Sequence, residues 1–299
     1  MIYFKMLKRT VFIFICVLFF LFVIEISLRI LGQFYSRKDD LEQLNDNEVF
    51  SIVCLGDSFT YGWGVDTAYT YPRQLERILN DRNPQRCFKV FNLAVPGSNS
   101  SQHLKYLQHL LHKYKKIDLV ILLTGTNDRW NLAYSNIDKF VVKRKIYDKE
   151  RLKIKIFLAD LRIYKTVKIM LLNLKGKTFK SEVDTFKQVR RSENIDEHIF
   201  KQSFEYNLIQ IIRLGQANNV KIILQDYPWG DVYEDNMIKT ISKRYKVPFV
   251  EHSVAFSAEL KELSLKDLFI YDNSHPNEYG YKIMAEGLYK VIFKEIISE

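Results

Sequence analysis

The hydrophobic pattern divides the chain into one unbroken apolar segment and a long alternation of short apolar runs with amphipathic stretches. Thr10 to Ile24 carries no charge, and extension through Glu25 to Leu31 gives 22 residues. At helical rise that is about 33 Å, enough to cross a bilayer. Beyond Asn47 the apolar runs shorten. Strands are expected near Val49–Leu55, Phe88–Leu93, Asp118–Leu123, Val220–Gln225 and Pro248–Val250, where apolar residues cluster between turn-forming ones. Helices are expected near Tyr71–Asn80, Ser101–Lys113, Phe200–Gln216, Glu234–Tyr245 and Asn277–Ile296. The last of these sets Gly280, Ile283, Met284, Gly287, Leu288, Val291 and Ile292 along one stripe. Strand alternating with helix predicts an α/β fold: a parallel five-stranded sheet, helices on both faces, right-handed crossovers.

This pattern yields an organisation of residues 1–32 as an N-terminal membrane anchor, 33–47 as a polar linker and 48–299 as the folded domain. Lys5, Lys8 and Arg9 precede the apolar run, and no small-x-small cleavage site follows it. An uncleaved transmembrane helix is therefore favoured over a cleaved signal peptide. Glu25 would lie towards the far interface, and Arg29 would snorkel out of the lipid. The basic flank favours the amino end inside and the domain outside, although Arg29, Arg37 and Lys38 nearly balance it by count.

Charge changes this picture in one place. The chain carries +10 overall. Asn131 to Phe200 holds 17 Lys+Arg against 9 Asp+Glu, so +8 of it lies there. The segment interrupts the alternation as a basic insertion at about 131–200. Within it Arg151 to Leu174 reads as an amphipathic helix, with Ile156, Phe157, Leu161, Tyr164, Val167, Leu171 and Leu174 near one face. Such a helix either packs on the domain or rests on anionic lipid. No nucleic-acid motif accompanies the charge, so lipid or an acidic polysaccharide is the expected partner, and no nucleic acid.

The three cysteines, Cys16, Cys54 and Cys87, show no metal-ligand spacing. Buried free thiols are the expectation, with a Cys54–Cys87 bridge left open. His103, His109 and His112 share one helix without a supporting carboxylate or thiol, and are expected on a solvated face rather than at a metal. His252, Trp130 and Trp229 follow strand ends and are expected to line a cleft.

Four short blocks carry the chemistry. Gly56-Asp57-Ser58 follows the first strand, and Asn92-Leu93-Ala94-Val95-Pro96-Gly97 closes the second. Gly125-Thr126-Asn127-Asp128 follows the third, and Asp272-Asn273-Ser274-His275-Pro276-Asn277 precedes the last helix. An alcohol is a weak nucleophile unless a base takes its proton, so Ser58 needs a histidine. His275 can offer one ring nitrogen to Ser58 while the other donates to Asp272, three residues away in the same turn. Ester attack builds charge on oxygen, and the amide of Ser58, the amide of Gly97 and the side chain of Asn127 are donors suited to meet it. Each block alone also has a structural reading. Ser58 fits a helix cap, Gly97 a turn after Pro96, Asn127 an Asx-turn, and Asp272–His275 a capping pair. Asp57 and Asp128 are expected to stabilise their turns through backbone hydrogen bonds.

With all four blocks in this order, the chain resembles the SGNH hydrolase superfamily of GDSL-type esterases from about Val49 to the C-terminus, the basic insertion excepted. The resemblance implies a flavodoxin-like three-layer α/β/α fold, no metal and no cofactor. It implies catalysis by Ser58, His275 and Asp272, with Ser58, Gly97 and Asn127 as oxyanion donors. The other common serine esterase fold needs G-x-S-x-G, and the motif here ends in Thr60. The function implied is hydrolysis of acyl esters, O-acetyl above all, of a carbohydrate or lipid, by a domain outside a bacterial membrane. An O-acyltransferase using the same residues, and a non-catalytic envelope scaffold, are the alternatives.

Overall fold

In the computed structural model the described residues are 2–34, 41–128, 197–230 and 233–298. The chain divides into two compact units, one of residues 1–38 with 145–182 and one of residues 39–144 with 183–299. Trp130 and the amphipathic helix expected at Arg151 to Leu174 lie outside the described residues.

In the first unit α1 spans Ile2–Phe34. Its Lys8–Leu28 portion is long and apolar enough to cross a membrane, a property that a signal sequence near an N-terminus shares. Phe12, Phe19, Phe20 and Phe22 are all exposed along it, so its apolar surface runs around the helix rather than along one stripe.

The second unit is built on a parallel sheet of β1 (Val49–Leu55), β2 (Cys87–Asn92), β3 (Leu119–Leu122), β4 (Lys221–Gln225) and β5 (Phe249–Val250). The strand order is β2-β1-β3-β4-β5, the flavodoxin-like order expected. Alternate residues serve opposite faces. Val53, Leu55, Val120, Leu122 and Leu224 meet Leu104, Leu107, Phe204, Leu208 and Ile238 on one side. Ile52, Cys54, Leu119, Ile121 and Ile223 meet Leu75, Leu79, Phe256, Met284 and Leu288 on the other. Strands buried on both faces read as continuous apolar runs, which is why they were legible in the sequence.

The covering helices are α3 (Tyr71–Arg82), α4 (Ser100–Lys113), α5 (Glu197–Ala217), α6 (Tyr233–Tyr245), α7 (His252–Glu259) and α9 (Glu278–Ile292), with single turns α2 (Ser58–Tyr61) and α8 (Leu265–Leu268). Asn277 caps α9 by accepting the Gly280 amide at 3.0 Å, so that helix starts just after Pro276. Ahead of β1, Leu41–Asn45 forms a 3-10 turn, and Leu44 is fully buried in the core.

The β1–β2 register sets Cys87 opposite Val49 and Cys54 opposite Asn92. That separation keeps Cys54 and Cys87 from pairing, and Cys16, exposed on α1 rather than buried, is free as well. Cys54 is buried, whereas Cys87 is exposed at the amino end of its strand rather than in the core.

Candidate active site

In this strand order the chain leaves β1 towards β2 on one side and later returns to build β3 on the other. The carboxyl ends of β1 and β3 therefore flank the switch point at which open α/β sheets bind ligands. Gly56-Asp57-Ser58 leaves β1 at that point, and Gly125 to Asp128 leaves β3 beside it.

The turn after β1 demands its glycine for space. A Cβ on Gly56 would lie 2.1 Å from Thr60 Oγ1, so the chain can fold back into α2 only if position 56 has no side chain. Asp57 caps α2, its Oδ1 accepting the Phe59 amide at 3.0 Å. Gly62 closes the turn in a left-handed conformation, its amide on the Ser58 carbonyl at 3.1 Å.

The loop before α9 presents the histidine. Asp272 Oδ1 accepts the amides of Ser274 and His275 at 2.8 and 2.9 Å. Oδ2 accepts His275 Nδ1–H at 2.6 Å. With Nδ1 donating, Nε2 is an acceptor, and Ser58 Oγ–H donates to it at 2.8 Å. A serine and a histidine 217 residues apart thus form one chain with Asp272. Burial pulls the Asp272 carboxyl upwards, but the His275 ring and the two amides outweigh it and hold the group below the ordinary carboxylate range.

Aromatic packing fixes the imidazole plane. Phe59 stacks on His275 with centroids 4.4 Å apart, Trp229 meets Phe59 edge to face at 4.8 Å, and Tyr227 stacks on Trp229. Trp229 Nε1–H donates to the Ser274 carbonyl at 2.8 Å, tethering the histidine loop. Trp229, half-buried, thus braces both Phe59 and the histidine loop.

Gly97 sits exposed in the turn after β2 with φ +75°. A Cβ there would meet no atom within 4 Å, so conformation rather than crowding favours glycine. Asn127 donates from Nδ2 to Asp57 Oδ2 at 3.0 Å. That oxygen also accepts the Tyr227 hydroxyl at 2.7 Å. Burial raises Asp57 to about 6, against the opposing pull of Tyr227, the Phe59 amide, His275 and Asn127. The expected backbone bond of Asp57 is present, but the carboxylate also joins the turns after β1 and β3 to the segment after β4. Tyr227 gave no sequence signal, since a tyrosine after a strand is common in any core.

Asp128 accepts the Ser100 amide at 2.9 Å and the Ser100 hydroxyl, while Asn207 Nδ2 donates to that hydroxyl oxygen at 2.8 Å. Burial, reinforced by Glu234 and Asp57, lifts Asp128 to about 7 despite the Ser100 bonds. The folded state therefore holds this proton more tightly than an unfolded chain, whose aspartates titrate near about 4. Its stabilising effect is complete below about pH 4 and is lost as pH rises through about 7. Asp128→Asn removes that term. Its stability relative to wild type should climb between pH 4 and 7 by up to about 1.4 kcal/mol per pH unit, above any constant offset from the lost Ser100 bond. Chemical denaturation at four pH values measures the slope, and a flat difference refutes the assignment.

Two histidine expectations change. His252 does not line a cleft: it is buried, its Nε2–H on Gln225 Oε1 at 2.8 Å, because the start of α7 turns the ring into the core. His103 does not share the solvated face of His109 and His112. Those two are exposed, but His103 occupies the buried side of α4 at 3% exposure. Among the described residues, no group of three or more His, Cys, Asp or Glu side chains is arranged to hold a metal.

The model of the GDSL-like Lipase/Acylhydrolase family matches residues 54–283, a span that begins in β1 and ends inside α9. The chain belongs to this family. GDSL-family membership makes it an ester-hydrolysing enzyme by class. It is 37% identical over 90 residues to an uncharacterized protein of Mycoplasma pneumoniae, covering 30% of this chain and 10% of that one. It is 22% identical over 265 residues to the uncharacterized protein YpmR of Bacillus subtilis, covering 86% and 87%. The chain thus spans a tenth of the first relative's length and most of the second's. Among solved structures, a variant of Axe2, an acetyl xylan esterase from Geobacillus stearothermophilus, shares the fold at 18% identity. The match covers 82% of this chain and 95% of that one, with a TM-score of 0.50.

Proposed function

We propose that this GDSL-family chain is a membrane-anchored serine esterase that removes acyl groups, O-acetyl above all, from a carbohydrate or lipid through an acyl-enzyme on Ser58. The observation that carries this reading is the continuous hydrogen-bonded chain from Ser58 Oγ through His275 to Asp272.

The steps follow from that chain. His275 Nε2 takes the hydroxyl proton as Ser58 Oγ bonds to the ester carbonyl carbon, and Asp272 steadies the imidazolium that forms. The carbonyl oxygen becomes anionic and is met by the amides of Ser58 and Gly97 and by the Asn127 hydrogen not given to Asp57. His275 then returns its proton to the leaving alkoxide, and the alcohol departs. Water attacks the acyl-enzyme, losing a proton to His275, and the second collapse gives the carboxylic acid and free Ser58.

The substrate class rests on two supports. An acetylated glycan is the substrate named for the Axe2 enzyme of this fold. The apolar helix α1 would hold the domain beside an envelope polymer or lipid. The basic residues Lys5, Lys8 and Arg9, in the part of α1 before its uncharged run from Thr10, favour the domain on the extracytoplasmic side of a bacterial membrane.

The test is turnover of p-nitrophenyl acetate and of O-acetylated oligosaccharides by the full chain in detergent, with and without deacetylated glycan acceptors. Acceptor-independent release of acetate is expected. Turnover only when an acceptor is present, with the acetyl group appearing on the acceptor, would replace the esterase by an acyltransferase. A reporter fused after Glu299 that is active only in the cytoplasm would reverse the orientation.

A further inference from the structure

The buried imidazole of His103 lies outside the Ser58–His275–Asp272 chain and touches none of those three groups in the bonds described above. It stands on the first turn of α4 and makes two hydrogen bonds, each to a loop that carries part of the site. Ser98 Oγ lies 2.7 Å from Nε2, and Thr124 Oγ1 lies 3.0 Å from Nδ1. Ser98 has a single hydroxyl hydrogen, and the Gly56 carbonyl lies 2.9 Å away to accept it. That assigns the tautomer. Nε2–H donates to Ser98, and Nδ1 accepts the Thr124 hydroxyl hydrogen. All four groups are buried, so each bond is made without competition from water.

The three turns joined in this way are the ones that lead to the oxyanion donors. Gly56 is two residues before Ser58, Ser98 is the residue after Gly97, and Thr124 is three residues before Asn127. The Val95 amide adds a second bond to the Gly56 carbonyl at 3.0 Å, and the Ser98 amide closes the Gly97 turn on Val95 at 3.0 Å. Val95, Pro96 and Gly97 are all exposed, so side-chain packing does little to hold that turn in place. Its anchorage is this hydrogen-bonded strut.

We propose that His103 is a positioning residue for the oxyanion side of the site, a neutral imidazole that ties the turns after β1, β2 and β3 into one rigid unit and so sets the spacing of Ser58, Gly97 and Asn127. The proposal rests on the esterase reading above. Burial lowers the imidazole to about 4, a pull that the Gly56 carbonyl only partly opposes, so the strut keeps one tautomer across the neutral range. Among the described residues, the groups that His103 bonds to or faces are the Ser98 and Thr124 hydroxyls and the Gly56 carbonyl, none of which is charged.

The experiment compares wild type, His103→Ala, Ser98→Ala and the double variant as full chains in detergent. It measures kcat and KM on p-nitrophenyl acetate, the melting temperature, and end-point labelling by a fluorophosphonate to count competent sites. Displacement of an oxyanion donor acts on the transition state more than on substrate binding. Each single variant should therefore lose about 10- to 100-fold in kcat per labelled site, with KM within about twofold. The double variant should be no worse than His103→Ala, because both changes cut one strut. Added imidazole should restore part of the kcat of His103→Ala and none of that of Ser98→Ala. Ser98→Ala decides the matter if His103→Ala does not fold. A kcat per labelled site that stays at the wild-type value in the folded single variants overturns the proposal, as do losses that multiply in the double variant. Wild-type protein that neither labels nor turns over would instead refute the esterase reading, and this inference with it.

Discussion

Ser58→Ala is expected to lower kcat on p-nitrophenyl acetate by about a millionfold, the scale on which removal of the nucleophile acts in serine hydrolases. The reason is geometric. Among the described residues, the hydroxyl paired with His275 Nε2 is that of Ser58, so its loss leaves the imidazole with no nucleophile to activate. Residual turnover would come from water attacking a carbonyl still polarised by the Gly97 amide and Asn127. Fluorophosphonate labelling should vanish with it. The melting temperature should move by no more than a few degrees, because the side chain is partly exposed and α2 is capped by Asp57 and Gly62 rather than by Ser58. Retention of more than a few per cent of the activity by folded protein would mean that another group attacks the ester.

Asp272→Asn should cost about ten-thousandfold in kcat, and the local hydrogen bonds say why. Oδ1 of Asp272 accepts two backbone amides, from Ser274 and His275. Only the oxygen of a carboxamide can take that place, so its NH₂ must turn towards His275 Nδ1. Nδ1 would then have to accept, the ring proton would move to Nε2, and Nε2–H could not receive the Ser58 proton. The loop itself should survive, since both backbone bonds remain. The measurement is kcat beside a thermal melt: an intact fold with activity within tenfold of wild type would show that Asp272 does not set the tautomer.

The elements that stood out in the sequence share a physical trait. β1, β3 and β4 are buried on both faces, so their central residues (Ile52 to Leu55, Leu119 to Leu122 and Ile222 to Leu224) are apolar on successive positions, and the helices that cover them had to be amphipathic. The turn residues were equally legible. Gly56 answers to a clash with Thr60, and Asp272 and His275 sit close enough in sequence to meet within one turn. Tyr227 and His103 left no such mark. A tyrosine after a strand and a histidine on a helix belong to many environments, and their roles depend on Asp57 and Ser98, which reach them through the folding of other segments. His252 lies in the core and not in the cleft for the same reason, since being next to a strand end does not say which of the two a side chain faces.

The sequence alone determined the alternation of strands and helices, the apolar segment near the amino end and the four blocks of polar residues, because each is a local demand of burial, turn geometry or reactivity. Only the tertiary structure decided that Ser58 and His275, 217 residues apart, share a hydrogen bond, that Cys54 and Cys87 do not pair, and that one buried imidazole links three loops. Those are facts of distance between segments remote along the chain. The order and register of the strands set such distances, and no short stretch of sequence encodes that order by itself.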